Sequence, residues 1–600
     1  MSYIISTSEL KDFTHTFKQF FIINTDINIE IYTTSSDFLL VEGFVFDMNL
    51  NKKLNIKEIV EIVQSCINKK ETFPDNITGQ YNIIYMTANS INIINDFIGM
   101  KPLYYHLGNK VFLSNNIYKF GDYDFEIDEM GFYQSMIRNL YNPLNARTLF
   151  KNVLFLRGGE YILYNCSTSS SINIIDKMEI TNAKINKKEV SEFVELLKNN
   201  AAIYKSIFEK IVLPISGGVD SRITLCAFEE FNSNFHAVSY GEPDYIDNKI
   251  ARNLSKFIGI SHDNISFKNH LFPTNEEFDE MIKNGGEYIT SSWFSVIKEL
   301  KTRSEFDNSV VLIGDLLDTL RSKNLKSLRS RKQRLAYQLK RVIGFEIQME
   351  ALDLESFVTH HTNIYRSRLQ ALKESHPHLF TKYNFNEDNF ISQTSQDLQN
   401  FVEFINLKFS PKNQANLEEA FYASTWGSRT MAKQTNIFKG NYQSFSLMAS
   451  RHVVKHNLKF SPLEKFEDKL THKILRTKGF SGLSHFPTAQ IPFISYKRNI
   501  YLKYTVWAVR STIDQFLIKM GKDRLVKHIE WAQYYKNENN ELLLKKLLAD
   551  VDEDFSKIPF DIFSKRASGE TWPLSETDIN VFCFLLKFRN LKSSTKNSNS

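Results

Sequence analysis

Residues 216–221, Ser-Gly-Gly-Val-Asp-Ser, carry the residue types in this chain that are best suited to chemistry. They follow the apolar run 211–215 and precede a segment with helical periodicity. Backbone N–H groups at such a junction, beside glycines that allow close approach, form a site for anions. The spacing therefore predicts an anion-binding turn, and the Asp220 carboxylate is a hard oxygen ligand suited to Mg²⁺. A plain corner between a strand and a helix is the alternative.

A second group of carboxylates follows another apolar run. Residues 310–313 are Val-Val-Leu-Ile, and Gly314, Asp315 and Asp318 come after them. Open parallel sheets bind ligands at the carboxyl ends of their strands. Because one carboxylate rarely holds Mg²⁺ alone, we expect Asp318 to act with Asp220 as a metal ligand. Helix N-capping is the alternative for Asp315.

The turn at 216–221 resembles the SGGxDS pyrophosphate loop of ATP pyrophosphatases, which cleave ATP to AMP and pyrophosphate. It is not a Walker A loop, because GxxxxGK[ST] is absent. The resemblance implies ATP and Mg²⁺ as cofactors. It also implies that amides and hydroxyls of four residues hold pyrophosphate: Ser216, Gly217, Gly218 and Ser221. Arg222 would add a phosphate contact, unless it is a solvated side chain.

The second group resembles the SGxGGDE motif of asparagine synthetases. Gly314 takes the place of its first glycine, Asp315 the variable third place and Asp318 the metal-binding aspartate. Leu316 and Leu317 replace glycines, and Thr319 replaces the glutamate. The resemblance therefore implies that the metal ligand is kept on a loop of different shape.

The N-terminal part resembles the class II glutamine amidotransferase domain of asparagine synthetases. The resemblance rests on Gly79, on Asp-Phe-Ile-Gly-Met-Lys-Pro-Leu-Tyr-Tyr at 96–105 and on Phe-Leu-Ser-Asn-Asn at 112–116. Such glutaminases use an N-terminal cysteine as nucleophile, but Ser2 follows Met1 here. A serine hydroxyl is far less nucleophilic near neutral pH. Residues 41–47 replace the family's NGE-type motif, so we predict an inactive glutaminase.

Further positions follow from the same resemblance. Val238 and Gly241 would line the nucleotide site, with Asp247 near the adenylate; a core position for Val238 and a helix cap for Asp247 are the alternatives. Lys497 is the positional match to a lysine that stabilises developing negative charge, and Lys473 and Lys478 are rivals. We take Lys497 and Asp315 as the catalytic residues. Gln443, Phe445 and Ser450 replace the Glu, Arg and Asp of the family's ExRxPFLD motif, so a different acceptor pocket is expected.

The expected fold class is α/β. Short strands to about residue 180 predict a β-rich first domain, and the resemblance implies an amidotransferase-like sandwich with αββα layers at 1–182. Strands alternating with helices after residue 190 predict a parallel sheet, and the resemblance implies an ATP pyrophosphatase domain at 190–591. The pattern beyond residue 320 is largely helical. The polar tail, 592–600, is expected to be disordered.

The expected function is an ATP-dependent amide ligase that adenylates a carboxylate and condenses it with an amine. Beta-lactam synthetases and lasso-peptide cyclases are the relatives whose logic it resembles. The substrate would be a carboxylate and an amine, for instance on a precursor peptide, with peptide-processing partner proteins. An ammonia-using asparagine synthetase or sugar-acid amidase, and an inactive scaffold of the same fold, are the alternatives.

Composition and charge bound these expectations. The net charge of +6 is small for 600 residues, which argues against a dedicated nucleic-acid binder. The basic run at 321–341 reads as a solvated helix face or a site for an acidic substrate. Four scattered cysteines form no metal or disulfide pattern, and no secretory signal or membrane span is evident. We therefore expect a cytoplasmic protein.

Overall fold

The computed structural model describes most of the chain before residue 528. The described residues are 2–10, 13–24, 29–108, 110–123, 125–137, 143–228, 230–266, 273–283, 291–307, 309–314, 316, 322, 336, 349–375, 380, 385–432, 442–477, 482–498, 500–520, 522, 524–527 and 542.

Two antiparallel sheets form the N-terminal sandwich. The six-stranded sheet has the order β11-β9-β10-β1-β3-β2, and the larger sheet has the order β13-β12-β8-β7-β5-β4, with β6 paired to β5. Their strands are β1 (Tyr3–Ser6), β2 (His15–Phe17), β3 (Phe20–Asn24), β4 (Ile29–Thr33), β5 (Phe38–Asp47), β6 (Lys52–Lys53), β7 (Ile77–Met86), β8 (Ser90–Asn95), β9 (Tyr104–Leu107), β10 (Val111–Ser114), β11 (Leu154–Phe155), β12 (Glu160–Asn165) and β13 (Ser170–Ile175).

Period-two alternation along the strands builds the layers of this sandwich. Leu40 on β5 packs with Ile5 and Leu113 of the other sheet, so the two sheets share a core. The neighbouring residues of β5 point outward, where Leu39 packs against Val63 of helix α1 (Ile56–Lys69). Helices α2 (Tyr118–Gly121) and α3 (Glu129–Ile137) pack on the outer face of the six-stranded sheet. These contacts give the αββα order of layers that the sequence predicts.

A five-stranded parallel sheet follows in the chain. Its order is β16-β15-β14-β17-β18, with β14 (Ile211–Pro214), β15 (Phe235–Tyr240), β16 (Ser261–Ile265), β17 (Val310–Ile313) and β18 (Gln443–Ser446). All four residues of β17 are at most 1% exposed, as expected for a strand covered on both faces. The described residues therefore form a mixed α/β protein with antiparallel sheets first and a parallel sheet second.

The helices that accompany the parallel sheet are mostly in the C-terminal half. They are α4 (Lys187–Ile207), α5 (Asp220–Cys226), α6 (Ile246–Ile258), α7 (Asn275–Lys283), α8 (Ser291–Lys301), α9 (Leu354–Ser375), α10 (Glu387–Phe409), α11 (Gln414–Tyr422), α12 (Arg451–Leu458), α13 (Pro462–Lys465), α14 (Lys469–Ile474) and α15 (Ile500–Lys519). Residues Ala423–Met431 form a π-helix. Within the described ranges, no helix is long and apolar enough to cross a bilayer.

The two sheet systems share a buried interface. Phe44 of β5 lies 5.2 Å from Phe445 of β18, measured between ring centroids. Gln80 of β7 donates from Nε2 to the Ser446 carbonyl at 2.6 Å. Arg451 at the start of α12 pairs with Asp176 at 2.7 Å, and both side chains are buried. The core is therefore continuous across the junction between the sandwich and the parallel sheet.

Candidate functional site

The turn at 216–221 leaves the parallel sheet at its centre. Its preceding strand β14 is the middle strand of five, flanked by β15 and β17. The chain runs outward from β14 first toward β15 and β16, and later returns to add β17 and β18 on the other side. In doubly wound sheets this reversal opens a crevice at the carboxyl ends of the two central strands. The turn lies at that crevice, before α5 begins at Asp220.

The two predicted halves of the site come together at Gly314. A Cβ added there would lie 3.0 Å from Thr224 Oγ1 and 3.1 Å from the Asp220 carbonyl oxygen. The chain directly after β17 therefore packs closely on the first turn of α5, where a larger residue would need its neighbours to shift by a few tenths of an ångström. Asp315 and Asp318, which were predicted here as catalytic residue and metal ligand, lie outside the described residues.

Two serines close the turn. The Gly218 amide donates to Ser216 Oγ at 3.1 Å, and the Ser216 amide donates to Ser221 Oγ at 3.2 Å. The Ser221 hydroxyl in turn donates to the Ser216 carbonyl at 3.3 Å. Both hydroxyls, predicted to contact pyrophosphate, therefore also shape the loop itself.

The two glycines of the turn have different surroundings. A Cβ added at Gly217 would lie 2.8 Å from Ala489 Cβ and 3.1 Å from Asp247 Oδ1. A Cβ added at Gly218 would meet only Ser216 Oγ, at 3.0 Å. Gly217 is thus enclosed by protein, and the turn is open on the Gly218 side.

Asp247, predicted to lie near the adenylate, lies against the turn. Its Oδ1 accepts from the Gly217 amide at 3.2 Å, and it sits in the first turn of α6. This bond ties the loop after β14 to the loop after β15.

Val238 and Gly241 were both predicted to line the nucleotide site. Val238 is 1% exposed within the core of the sheet, and its carbonyl accepts from the Ile215 amide at 2.8 Å. Gly241 ends the same strand with a left-handed φ of 96°. The Asn264 side chain donates to its carbonyl at 2.6 Å. Val238 is therefore part of the core of the sheet, and Gly241 forms the turn directly after the strand.

Arg222 corrects its sequence interpretation. Its side chain is fully buried, and Nη1 donates to the Phe486 carbonyl at 2.9 Å. Nη2 donates to the Pro487 carbonyl and, at 3.4 Å, to the Gly217 carbonyl. Burial lowers the pKa of Arg222 to about 10. A guanidinium with no exposed surface is neither solvated nor a phosphate contact; it joins the turn to residues 486–487.

Residues 482–498 form a segment that docks on the turn, and we call it the docking segment. The Ala489 amide donates to the Gly217 carbonyl at 3.0 Å, beside the Arg222 bonds. Lys497 belongs to the docking segment: its amide donates to the Ser484 carbonyl at 2.7 Å, and its exposed Nζ lies 3.2 Å from His485 Nε2. The structure thus carries Lys497 on a segment held against the turn.

The rival lysines are placed differently. Lys473 donates from Nζ to the Ile185 carbonyl at 2.7 Å and is engaged in packing α14 on the chain before α4. Lys478 lies outside the described residues.

A buried lysine that the sequence did not single out lies behind the docking segment. Lys503 of α15 is 4% exposed and donates from Nζ to the Tyr496 carbonyl at 3.2 Å. Its Nζ also lies 3.7 Å from the centroid of the Tyr496 ring. Burial, with a smaller contribution from the charge of Arg222, lowers the pKa of Lys503 to about 8. The only feature of the sequence that could have indicated the burial of Lys503 is the mostly apolar stretch around it.

The resemblance motif of the N-terminal sandwich has a structural explanation. The buried Asp96 carboxylate accepts from the amides of Ile98, Gly99 and Met100 at 2.7–3.0 Å. Gly99 has a left-handed φ of 80°, and an added Cβ would lie 3.0 Å from Gly158 Cα. Burial raises the pKa of Asp96 to about 6. The motif therefore specifies a tight turn. Ser2, in place of the family's cysteine, is 5% exposed.

The residues that replace ExRxPFLD have structural contacts. Gln443 begins β18, and Phe445 packs on Phe44 and lies 4.5 Å below Lys101 Nζ. Ser450 caps α12 and accepts from Asn200 Nδ2 at 2.7 Å. β18 itself is a strand in a region that we expected to be helical.

The described part of the site fits an anionic nucleotide with Mg²⁺. The turn is open on its Gly218 side, and the half-buried Asp220 next to it offers a hard oxygen ligand; the amides of residues 216–218 are bonded within the protein. The fit of a second metal ligand depends on Asp318, outside the described range. Two acidic side chains and one imidazole also lie together among the described residues, Glu189, Glu192 and His456, and Lys459 pairs with Glu189 at 2.6 Å.

Among the comparisons with known proteins, the one with solved structures finds proteins similar to this chain. No family model and no curated protein matches the sequence. One similar solved structure is the glutamine phosphoribosylpyrophosphate amidotransferase of B. subtilis complexed with ADP and GMP, at 11% identity over 53% of this chain and 71% of that chain, with a TM-score of 0.16. Another, titled as the allosteric regulatory enzyme of purine biosynthesis, has 13% identity over 52% of this chain and 60% of that chain, with a TM-score of 0.15. TM-scores this low carry no argument about the fold, so the description of the fold depends only on the strand orders and layers given above.

Proposed function

We propose that the protein is an ATP-dependent carbon–nitrogen ligase that forms AMP and pyrophosphate. The observation that supports this most is the place of the turn at 216–221, at the switch point of a parallel sheet and in contact with Gly314. Ligands of doubly wound sheets bind at this point. The resemblance of the turn to the SGGxDS loop supports cleavage of ATP between its α and β phosphates.

The proposed reaction has two steps. A substrate carboxylate oxygen attacks the α-phosphorus of ATP, and pyrophosphate leaves with the electron pair of the broken bond. An amine nitrogen then attacks the carbonyl carbon of the acyl-adenylate, AMP leaves, and the nitrogen loses a proton. Mg²⁺ held by Asp220 and Asp318 would neutralise charge on pyrophosphate.

The chain's own residues divide these tasks. The amides and hydroxyls of the turn hold pyrophosphate on the open Gly218 side. Lys497, exposed on the docking segment, supplies a fixed positive charge toward the acyl phosphate, where negative charge develops. Asp315 is proposed as the second catalytic residue. Holding amine and acyl-adenylate together lowers the barrier by proximity.

We propose that the amine belongs to the substrate and does not come from glutamine. The supporting observation is Ser2, a buried serine where the resembling glutaminases carry a cysteine. A precursor peptide could bring both carboxylate and amine, with peptide-processing proteins as partners. Release of glutamate from glutamine by the purified chain would refute this part of the proposal.

Exchange of labelled pyrophosphate into ATP tests the ligase. We expect Mg²⁺-dependent exchange with at least one acid in a panel of carboxylates. Asp220→Asn should lower its rate by about a hundredfold or more. Asp244→Asn is the matched control, because Asp244 is a half-exposed carboxylate paired with Lys527. The ligase is rejected if no acid supports exchange, or if both variants lose it equally.

A further inference from the structure

An open pocket lies beside the turn, between α15 and the docking segment. Its volume is about 490 Å³, within the range of small-molecule sites. The lining residues used below are Gln490, Trp507, Arg510, Asp514, Ile518 and Arg524.

One residue joins this pocket to the turn. The Ala489 amide donates to the Gly217 carbonyl at 3.0 Å, and the Ala489 carbonyl accepts from Arg510 Nη1 at 3.2 Å. Arg510 Nη1 also donates to the Gln490 carbonyl at 2.7 Å. The segment 489–490 is therefore bonded both to the turn and to a residue that lines the pocket.

The ionic groups of the pocket leave a positive charge. Asp514 Oδ2 accepts from Arg510 Nε at 3.1 Å, and its Oδ1 accepts from the Leu525 amide at 3.0 Å. Arg510 and Asp514 thus compensate each other. Arg524 is exposed, and its guanidinium forms no ion pair with a carboxylate of the described chain. The positive charge of this guanidinium favours ligands of negative charge.

The apolar part of the lining comes from the same helix. Trp507 and Ile518 of α15 are 36% and 49% exposed, which is unusual for side chains of this size in a concave site. A tryptophan face favours aromatic and large apolar groups. Within the described lining, the pocket thus combines the cation of Arg524, which has no ion pair there, with an apolar wall.

We propose that this pocket binds a free carboxylic acid with an aromatic or large apolar side chain, through Arg524 and Trp507. The inference rests on the proposed function, because the acid would be the one that the ligase adenylates. The residues that replace the family's motif around Ser450 do not indicate a substrate, whereas this pocket indicates a substrate class.

Calorimetric titration of the full chain, without nucleotide, tests the pocket alone. The probes are N-acetylphenylalanine and its uncharged amide. We expect the acid to bind at least tenfold more tightly than the amide, because the uncharged amide cannot form a hydrogen bond to Arg524 in which both partners are charged. Arg524→Gln should remove this preference, and Trp507→Leu should weaken both probes. Val509→Ala is the control, since Val509 is an exposed residue of α15 outside the lining.

Three results would overturn the proposal that this pocket binds a carboxylic acid. The first is equal or undetectable binding of acid and amide by the unmodified chain. The second is a preference that Arg524→Gln leaves unchanged. The third is ATP binding that both variants weaken as much as acid binding, which would assign the pocket to the nucleotide.

Pyrophosphate exchange with the same acid separates the two proposals. Arg524-dependent binding without exchange supports the pocket and counts against the ligase. Exchange that Arg524→Gln and Trp507→Leu leave unchanged supports the ligase and rejects the pocket.

Discussion

Replacing Gly217 by alanine tests how the docking segment packs on the turn. The added methyl would lie 2.8 Å from Ala489 Cβ and 3.1 Å from Asp247 Oδ1. Carbon atoms pack best at about 3.5–4.0 Å, so the docking segment must shift by several tenths of an ångström or more. Overpacking of this kind lowers the free energy of unfolding by about 1–3 kcal/mol. We expect that loss for Gly217→Ala in equilibrium urea unfolding followed by tryptophan fluorescence.

Gly218→Ala is the matched control on the next residue. Its methyl would meet only Ser216 Oγ, the end of a rotatable side chain, and neither glycine has a left-handed φ. Alanine also restricts the unfolded chain, which stabilises by about 0.4–1 kcal/mol. Gly218→Ala should therefore be neutral or slightly stabilising, whatever it does to nucleotide binding.

A compensating change identifies the contact responsible. Ala489→Gly removes the methyl that lies 2.8 Å from the new one, so the double variant should recover more than half of the loss. The coupling energy of the two changes should then be about 0.5–3 kcal/mol. The packing described for the turn is wrong if Gly217→Ala is as stable as Gly218→Ala, or if Ala489→Gly recovers nothing.

Three further changes test buried charges by urea unfolding. Arg222→Met removes a charged donor to three carbonyls, and each such hydrogen bond contributes about 1.5–3 kcal/mol, but it also removes the cost of a buried charge, about 3 kcal/mol. We expect the free energy of unfolding to fall by a few kcal/mol, and Arg222→Lys should not restore it. An unchanged free energy of unfolding would contradict the role of Arg222 in joining the turn to residues 486–487. Burial lowers the pKa of Lys408 to about 7. The folded state therefore loses this proton at lower pH than the unfolded state does. The free energy of unfolding should rise between about pH 7 and 10, by up to about 4 kcal/mol relative to Lys408→Met. Parallel pH profiles of the free energy of unfolding for the two proteins would refute this. Lys465 and Glu419 pair at 2.7 Å with no exposed surface. Lys465→Met should lower the free energy of unfolding by about 3–5 kcal/mol, and adding Glu419→Leu should restore part of that loss. A double variant no more stable than Lys465→Met would contradict this.

The strands could be predicted because burial leaves a clear pattern in the sequence. The apolar run at 310–313 predicts β17, and β5 alternates its side chains between the two faces of its sheet. β18 could not be predicted, because its four residues, Gln-Ser-Phe-Ser, are too short and too polar for a buried strand. It is specified by the hydrogen bonds of β17, which lie in another part of the chain.

The placement of charged side chains was the part of the site that the sequence could not specify. Local pattern predicts that an arginine after a helix start is exposed, yet Arg222 is buried because Phe486, 264 residues further along the chain, supplies a carbonyl. Lys503 is buried for a similar reason, beneath Tyr496. The turn was predictable because glycine and serine act locally, whereas these partners are defined only by the tertiary fold.

The buried interface between the sandwich and the parallel sheet bears on whether the two parts are separable. Cutting the chain before α4 would remove Asp176 from Arg451, and Phe97 from Lys408, whose Nζ donates to the Phe97 carbonyl at 2.6 Å. Two buried cations would then lose their partners, along with the apolar cover of Phe445. We therefore expect the second half to need the sandwich in order to fold. Expression of the second half by itself should give aggregated chain.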